Sequence, residues 1–169
     1  MKVKEVEAYI VRNSRGEKTV EVRVNKKYVA AAPSGASTGK AEVKSYVGTI
    51  ESAVNKLNKF SDLKGMKFEE FNDLDVFDSK IGEWGGNVVV ALQFALLKGM
   101  GDGKVWKFLN DKAKSLPTPL GNCIGGGKHT RKKGVDVQEF LLIPTGDTFE
   151  ERMTVNDYVY RKMGKALCT

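Results

Sequence analysis

An α+β fold is predicted by the order of two hydrophobic patterns along the chain. Near the amino terminus, apolar and polar residues alternate with the period of a half-buried β-strand. From residue 40 onward, apolar residues recur with helical spacing instead. A segment with two prolines then precedes a strand, a second strand and a helix. The sequence therefore predicts one α+β domain followed by the beginning of another.

Three strands are predicted in the amino-terminal part, at Val3–Ile10, Thr19–Val24 and Tyr28–Ala32. The turn Asn13–Gly16 separates the first two, and Asn25–Lys27 joins the second to the third as a hairpin. Short connections of this kind join neighbouring antiparallel strands. A three-stranded antiparallel meander is therefore expected.

The segment after the third strand consists of small residues, Ala-Pro-Ser-Gly-Ala-Ser-Thr-Gly at positions 32–39. It has no apolar anchor, so a mobile loop is predicted there. In such a loop, a side-chain hydroxyl such as that of Ser37 usually forms a hydrogen bond to the backbone of a turn.

Four helices are predicted after this loop. The first begins at Lys40, and the second lies around Phe68–Phe77. The third covers Asn87–Gly99 and the fourth Lys104–Asn110, with Gly101–Gly103 between them. The stripe that predicts the first helix is Val43, Val47, Ile50, Val54 and Leu57.

A linker is predicted at Ser115–Pro119, because two closely spaced prolines hold the backbone extended. A short strand at Leu120–Ile124, a buried strand at Val137–Ile143 and a helix at Glu150–Leu167 are predicted after it. The predicted domains are therefore 1–114 and 115–169, the second too short to bury a core of its own.

Composition indicates an ordinary globular protein expected in the cytoplasm. Hydrophobic residues make up 41% and charged residues 29% of 169 residues. No apolar run has the length of a membrane helix, and the first residues carry no signal-peptide core. The two cysteines have neither metal-site spacing nor the density of a disulfide framework.

The net charge of +7 raises the question of nucleic acid. Only Lys128–Lys133 is a dense basic run, and it lacks interleaved aromatic residues for stacking on bases. A solvated loop is the simplest interpretation, and a small phosphorylated metabolite would suit the run as well as DNA does.

The residues that most suggest chemistry lie around this run. Gly126-Gly127-Lys128-His129 contains the only histidine, and Gln138-Glu139-Phe140 follows nine residues later. Such a cluster can hold an anionic substrate and move a proton. Taken singly, His129 is also typical of polar surface, and Gln138-Glu139 of the exposed start of a strand.

In its motifs the chain resembles the enolase family, the phosphopyruvate hydratases of glycolysis and gluconeogenesis. The resemblance covers essentially the whole chain, because the matching segments occur in the family's order and at compatible spacing. They are Asn13–Gly16 with Thr19–Val22, Pro33–Gly39, Gly86-Asn87, Leu116–Pro119 with Gly126–His129, and Gln138–Phe140. The fold that this resemblance implies is an enolase-like amino-terminal capping domain, followed by the first elements of an incomplete (β/α)8-type barrel.

The resemblance implies roles for three residues of the small-residue loop. Ser37 matches the loop position that contributes oxygen ligands to a second magnesium ion. Gly35 and Ala36 match the positions that let the loop close on substrate. Arg15, in the first turn, matches a family arginine with a structural or interfacial role.

The resemblance assigns the other site residues to the reacting end of the substrate. His129 matches the histidine near the phosphate and the leaving hydroxyl, with both a binding and a catalytic role. Gln138 and Glu139 match a substrate-binding pair, in which the glutamate belongs to the network around the departing hydroxide.

Magnesium is the cofactor that the resemblance implies. Removing a proton beside a carboxylate creates a doubly charged ene-diolate, and enolases stabilise it with Mg²⁺. Mg²⁺ prefers oxygen ligands. The substrate implied is 2-phosphoglycerate, which loses water to give phosphoenolpyruvate.

The matching segments correspond only to the amino-terminal part of an enolase. A complete barrel takes about 200–250 residues, and the family's three metal-binding carboxylates, lysine base and phosphate-gripping arginine come later in its sequence. The chain alone is therefore expected to be inactive.

Two hypotheses stay open. In one, the chain is the amino-terminal portion of an enolase, a magnesium-dependent hydro-lyase. In the other, it is a non-catalytic interaction module derived from enolase, or half of a split enzyme. The expected partner is either a second copy in a homo-oligomer or a chain that supplies the rest of the barrel. Binding to specific nucleic acid or to a membrane is not expected.

Overall fold

The computed structural model describes residues 1–35, 39–127 and 135–167, and it divides the chain into two compact units. The first unit is Met1–Ala113 and the second is Lys114–Thr169. Each is described by itself below. No helix in the described residues is long and apolar enough to cross a membrane.

The first unit contains the predicted antiparallel meander. Its strands are β1 (Val6–Arg12), β2 (Lys18–Val24) and β3 (Tyr28–Ala31), in the spatial order β1-β2-β3. Ala8 lies opposite Val22. Apolar and polar residues alternate along β2, so its valines lie on one face of the sheet. Val20, Val22 and Val24 are all fully buried.

The described part of the first unit also contains four α-helices. They are α1 (Ile50–Asn58), α2 (Ile81–Trp84), α3 (Gly86–Met100) and α4 (Val105–Leu109), with short 3₁₀ helices at Ser61–Leu63 and Phe71–Lys80. The central helix is α3, which packs against β2 and β3. Its apolar side chains join the buried valines of β2 in one core. The ring of Trp84 is also fully buried, edge-to-face with Phe60 at 5.1 Å between ring centroids.

The helix predicted from Lys40 begins ten residues later, at Ile50. Gly48 has a φ of +81°, which interrupts a helix, and the Thr49 side chain caps α1 by accepting from the N–H of Ser52 at 3.1 Å. Residues 39–49 form no helix. Part of this stretch binds the start of α3 instead, since the N–H of Gly86 donates to the Lys44 carbonyl at 2.9 Å.

The second predicted helix is likewise corrected. Phe68 lies before it, fully buried, and the segment Phe71–Lys80 is a 3₁₀ helix that runs into α2. The Asp73 carboxylate accepts from the N–H groups of Glu69 and Glu70 and so caps its start.

The outer edge of β1 is capped by a side chain. The Asn58 amide oxygen accepts from the Ala8 N–H at 2.7 Å, and its nitrogen donates to the Ala8 carbonyl at 3.0 Å. Asn58 thus occupies the hydrogen-bonding positions that a neighbouring strand would take.

Asn58→Ala is expected to lower the free energy of unfolding by about 1–3 kcal/mol, because both Ala8 backbone groups lose their partner. Asn55→Ala is the matched control: it lies exposed on the same helix, and we expect a change within about 0.5 kcal/mol. Urea unfolding of both variants measures the difference. Equal effects would contradict the capping role.

The turn after α3 is tied to the β2–β3 hairpin by one carboxylate. Asp102 accepts from Lys27 Nζ at 2.6 Å and from the Tyr28 hydroxyl at 2.7 Å. These hydrogen bonds, that of Lys27 foremost, lower the pKa of Asp102. The stabilisation is therefore present above the pKa of an unfolded aspartate, about 3.9, and is lost as pH falls through the lower folded value.

Acidification should accordingly weaken the first unit below about pH 4, and Asp102→Asn should remove part of that pH dependence. Urea midpoints measured across this range for the parent chain, Asp102→Asn and the exposed control Asp111→Asn provide the test. An unchanged pH profile in Asp102→Asn would contradict the tether.

The second unit consists of a hairpin and a helix. Its elements are β4 (Gly121–Gly125), β5 (Glu139–Leu142) and α5 (Phe149–Leu167). The strands pair antiparallel, with an irregularity between Asn122 and Ile124.

The prediction of a buried strand at Val137–Ile143 is wrong for this chain. β5 is shorter, and Phe140, Leu141 and Ile143 are 47%, 50% and 69% exposed. Among the described residues of the second unit, Pro144 is buried, but no Val, Leu, Ile, Met, Phe or Tyr side chain is. Helix α5 packs against β4, but the apolar side chains of β5 stay exposed, and the exposed apolar surface expected from the small size of the unit is present.

Candidate functional site

In the first unit, the candidate residues lie at the base of the small-residue loop. Arg15 Nη2 donates to the carbonyls of Ser34 and Gly35, at 2.9 and 3.0 Å, and its Nε lies 3.2 Å from a carboxylate oxygen of Glu17. One guanidinium therefore holds the chain where it enters the loop. Gly35 is exposed, while Ala36 and Ser37 lie outside the described residues.

A buried polar group lies next to this entry point. The hydroxyl of Thr19, a residue only 3% exposed, donates to the Ala32 carbonyl at 3.0 Å and lies 3.5 Å from the Tyr46 hydroxyl. Asn87 in turn donates to Tyr46 at 3.2 Å. This chain of hydrogen bonds links the sheet, the segment after the loop and the start of α3.

The start of α3 requires glycine at one position. Gly85 has a φ of +96°, and a Cβ there would lie 2.5 Å from both the Ser45 carbonyl oxygen and the Tyr46 Cα. The close approach lets the Asn87 N–H donate to the Ser45 carbonyl at 3.1 Å. The motif Gly86-Asn87 is thus explained by contact between the helix start and the segment beyond the loop.

The second unit contains a separate set of candidate residues, at the end of the β4–β5 hairpin. Gly125 pairs with Glu139, and the Gly126 N–H donates to the Gln138 carbonyl at 2.7 Å. One residue on, the Gly127 N–H donates to the Val135 carbonyl at 2.9 Å. The hairpin therefore brings the Gly-Gly segment and the backbone of the Gln-Glu pair together.

The backbones at this hairpin end are closely packed. A Cβ on Gly126 would lie 2.2 Å from the Val137 carbonyl oxygen and 2.5 Å from that of Val135. A Cβ on Gly125, by contrast, would meet nothing within 4 Å. Glycine is required at 126 because only hydrogen fits between the strands.

The side chains of the Gln-Glu pair are available for a ligand. Gln138 is exposed and Glu139 is half-buried, and among the described residues neither side chain has a hydrogen-bond partner. A carboxylate and an amide side by side can accept and donate hydrogen bonds to a hydroxylated anion. His129 lies outside the described residues, so its predicted place beside the pair stays a prediction.

The described residues do not by themselves suit a magnesium ion. In the ranges 1–35, 39–127 and 135–167, no three His, Cys, Asp or Glu side chains come together to hold a metal. Mg²⁺ takes carboxylate oxygens and keeps several waters. Its ligands, Ser37 among them, would therefore come from residues outside the described part.

Sequence reasoning did not assign two features of the site. The double hydrogen bond from Arg15 to the loop entry depends on the β1–β2 turn lying beside residues 34 and 35, which no local pattern reveals. The link from Thr19 to Asn87 joins distant parts of the sequence. Thr19 and Asn87 both lie in segments that match the enolase family, but that match predicted no contact between them.

Comparison with known proteins gives a consistent result for the whole chain. Residues 113–169 match the family model described as the enolase C-terminal TIM barrel domain. The protein named "Enolase" in Methanothermobacter thermautotrophicus is 35% identical over 178 aligned residues, covering 95% of this chain and 43% of that relative.

Two further relatives named "Enolase" agree. That of Methanosphaera stadtmanae is 36% identical, over 89% of this chain and 41% of its own length. That of Thermoplasma acidophilum is 33% identical, over 98% of this chain and 45% of its own length. The chain spans less than half the length of these relatives.

Proposed function

Because the chain is enolase-like along nearly its whole length, we propose that it provides the mobile loop and one wall of an enolase active site. The reaction is the magnesium-dependent dehydration of 2-phosphoglycerate to phosphoenolpyruvate, a hydro-lyase step of glycolysis and gluconeogenesis that runs in the cytoplasm. The observation that carries the proposal is the Gly126–Gln138 hydrogen bond of 2.7 Å, which joins the two motif segments at one hairpin end.

The proposed roles follow from the side chains. Glu139 and Gln138 face the reacting end of the substrate, where the carboxyl group of Glu139 delivers a proton toward the departing hydroxide. His129 adds a hydrogen bond to the phosphate or the leaving hydroxyl. Gly35 and Ala36 let the loop close, which excludes water from the reacting atoms.

Magnesium, when bound, would stabilise the negative charge that proton removal creates. In this chain Ser37 would contribute to its coordination, and the carboxylate ligands would come from the remaining part of an enolase-like barrel. The lysine base would come from there too. On this proposal the chain has no turnover until that part is supplied.

A non-catalytic interaction module, or half of a split enzyme, is the second candidate. The exposed apolar side chains of β5 favour a role that includes packing against another polypeptide, either the rest of a barrel or a second copy in a homo-oligomer. A complementation assay distinguishes the catalytic candidates, which include half of a split enzyme, from the non-catalytic interaction module.

The chain alone, assayed with Mg²⁺ and 2-phosphoglycerate, should give no phosphoenolpyruvate. Mixing it with a polypeptide carrying the remainder of the Methanothermobacter thermautotrophicus enolase should restore turnover, measured by absorbance of the product. In the restored enzyme Glu139→Gln should lower kcat by about 10²–10⁴-fold, whereas Glu150→Gln, an exposed carboxyl on α5, should not. Turnover by the unaided chain, or silence of every mixture, would overturn the catalytic proposal.

A further inference from the structure

An apolar groove lies within the first unit, between the 3₁₀ helix Phe71–Lys80 and α3. It encloses a cavity of about 130 Å³. Its lining residues come from both helices: Phe71, Leu74, Asp75, Gln93, Phe94 and Leu97. The enolase-like site does not use any of them.

The groove has a buried floor and exposed aromatic walls. Leu74 and Leu97 are only 4% and 5% exposed, whereas Phe71 and Phe94 are 51% and 53% exposed. Two half-exposed aromatic rings on either side of a cavity form the kind of apolar surface that marks an interaction site.

Hydrogen bonds hold the two helices in place. Gln93 Nε2 donates to the Leu74 carbonyl and to Asp78 Oδ1, both at 3.1 Å. These bonds connect α3 to the 3₁₀ helix beside the cavity, so the walls keep their spacing without a ligand. A groove shaped in advance costs less ordering when something binds.

The rim of the groove is negative in a protein of net charge +7. Residues 69–78 contain no Lys or Arg. Their carboxylates are Glu69, Glu70, Asp73, Asp75 and Asp78. Asp73 is engaged in capping, whereas Asp75 lines the groove and Asp78 accepts from Gln93 beside it, so these two carboxylates give the groove a negative charge. This charge attracts cations and repels phosphates.

We propose that this groove binds a basic amphipathic segment of another protein. An apolar side chain of that segment enters between Phe71 and Phe94, and neighbouring Lys or Arg side chains pair with Asp75 and Asp78. Anionic lipid and nucleic acid are disfavoured by the carboxylates. The dense basic run of the chain itself, Lys128–Lys133, has no apolar residue to fill the cavity, so it is not the segment that binds.

The probe is a fluorescein-labelled amphipathic helix of leucine and lysine, titrated with the full chain by fluorescence anisotropy. Binding should saturate and should weaken between about 0.05 M and about 0.5 M salt, because exposed charge pairs are screened. A leucine and glutamate peptide of the same pattern should not bind. Equal binding of both peptides, or no saturable binding of the lysine peptide, would overturn the proposal.

Matched variants localise the contact. Phe94→Ala should weaken binding at least about fivefold, and Asp75→Asn about twofold to fivefold. Trp106→Ala, another exposed aromatic residue of the first unit, and Asp111→Asn should leave it unchanged. Thermal melting by circular dichroism checks that each variant folds.

Unchanged binding in both Phe94→Ala and Asp75→Asn would overturn the groove assignment. So would sedimentation data showing that the chain self-associates through the groove, in a manner that Phe94→Ala abolishes, since a second copy would then be the occupant. The proposal does not depend on the enolase-like activity, and its test uses no turnover.

Discussion

Gly85→Ala is expected to lower the free energy of unfolding of the first unit by about 3–4 kcal/mol. The added Cβ would require an unfavourable φ and would lie 2.5 Å from backbone atoms of Ser45 and Tyr46. Backbone atoms cannot rotate away as a flexible side chain does, so the segment 43–47 must separate from the start of α3. Urea unfolding followed by near-ultraviolet circular dichroism measures the loss.

Gly82→Ala provides the control for that experiment. Gly82 lies in α2, close in sequence to Gly85, and a Cβ there would meet nothing within 4 Å. Alanine also favours a helix over glycine by about 1 kcal/mol. Equal destabilisation by the two substitutions would show that the contact with Ser45 and Tyr46 is unimportant.

Gly126→Ala should distort the backbone of the candidate site at the end of the β4–β5 hairpin. Its Cβ would lie 2.2 Å from the Val137 carbonyl oxygen, so the hairpin end must open and the hydrogen bond to Gln138 must lengthen. A displacement of about 1 Å of the adjacent Glu139 is enough to lower turnover about 100-fold. Turnover of the complemented enzyme measures this, and faster amide exchange at position 126 measures the opening.

Gly125→Ala separates this effect from a general loss of glycine. Position 125 is in the same strand and pairs with Glu139, yet it has open space around a Cβ. We expect it to keep most of the turnover and the amide protection at position 126. If Gly126→Ala behaves like Gly125→Ala, the close packing at the hairpin end does not position Glu139.

The sheet was predictable because its signal is local. Alternation of apolar and polar residues in β2 places Val20, Val22 and Val24 on one face. The short polar turns on either side make β1 and β3 the strands that pair with β2. The helix expected from Lys40 shows the limit of the same reasoning. Its apolar spacing is helical, but Gly48 in a left-handed conformation stops the helix, and the backbone groups of Lys44 and Ser45 bind α3 instead.

Burial was harder to predict than secondary structure. The run Phe140–Ile143 is as apolar as a core strand, so the sequence alone favours a buried one. Its exposure depends on which layers are present to cover it, and that is a property of the assembled fold. The hydrophobic pattern of a segment shows which side chains it could bury. The elements packed around the segment determine whether those side chains are buried.

The candidate site was predictable only in part. The sequence predicted strands at Leu120–Ile124 and Val137–Ile143, and the structure adds that they pair, with Gly125 opposite Glu139. The role of Gly126 was not predictable from the sequence, because close packing of backbones is a three-dimensional contact. His129, Ala36 and Ser37 stay predictions from resemblance.

The side-chain cap on β1 has a consequence for the order in which the protein is made. Asn58 lies 50 residues after Ala8, so at a synthesis rate of about 5–20 residues per second the strand leaves the ribosome roughly 3–10 s before its cap. During that interval neighbouring nascent chains on one messenger can pair with the open strand. The amide of Asn58 therefore ends a period of exposure in every cycle of translation, and a slower ribosome between these codons prolongs it.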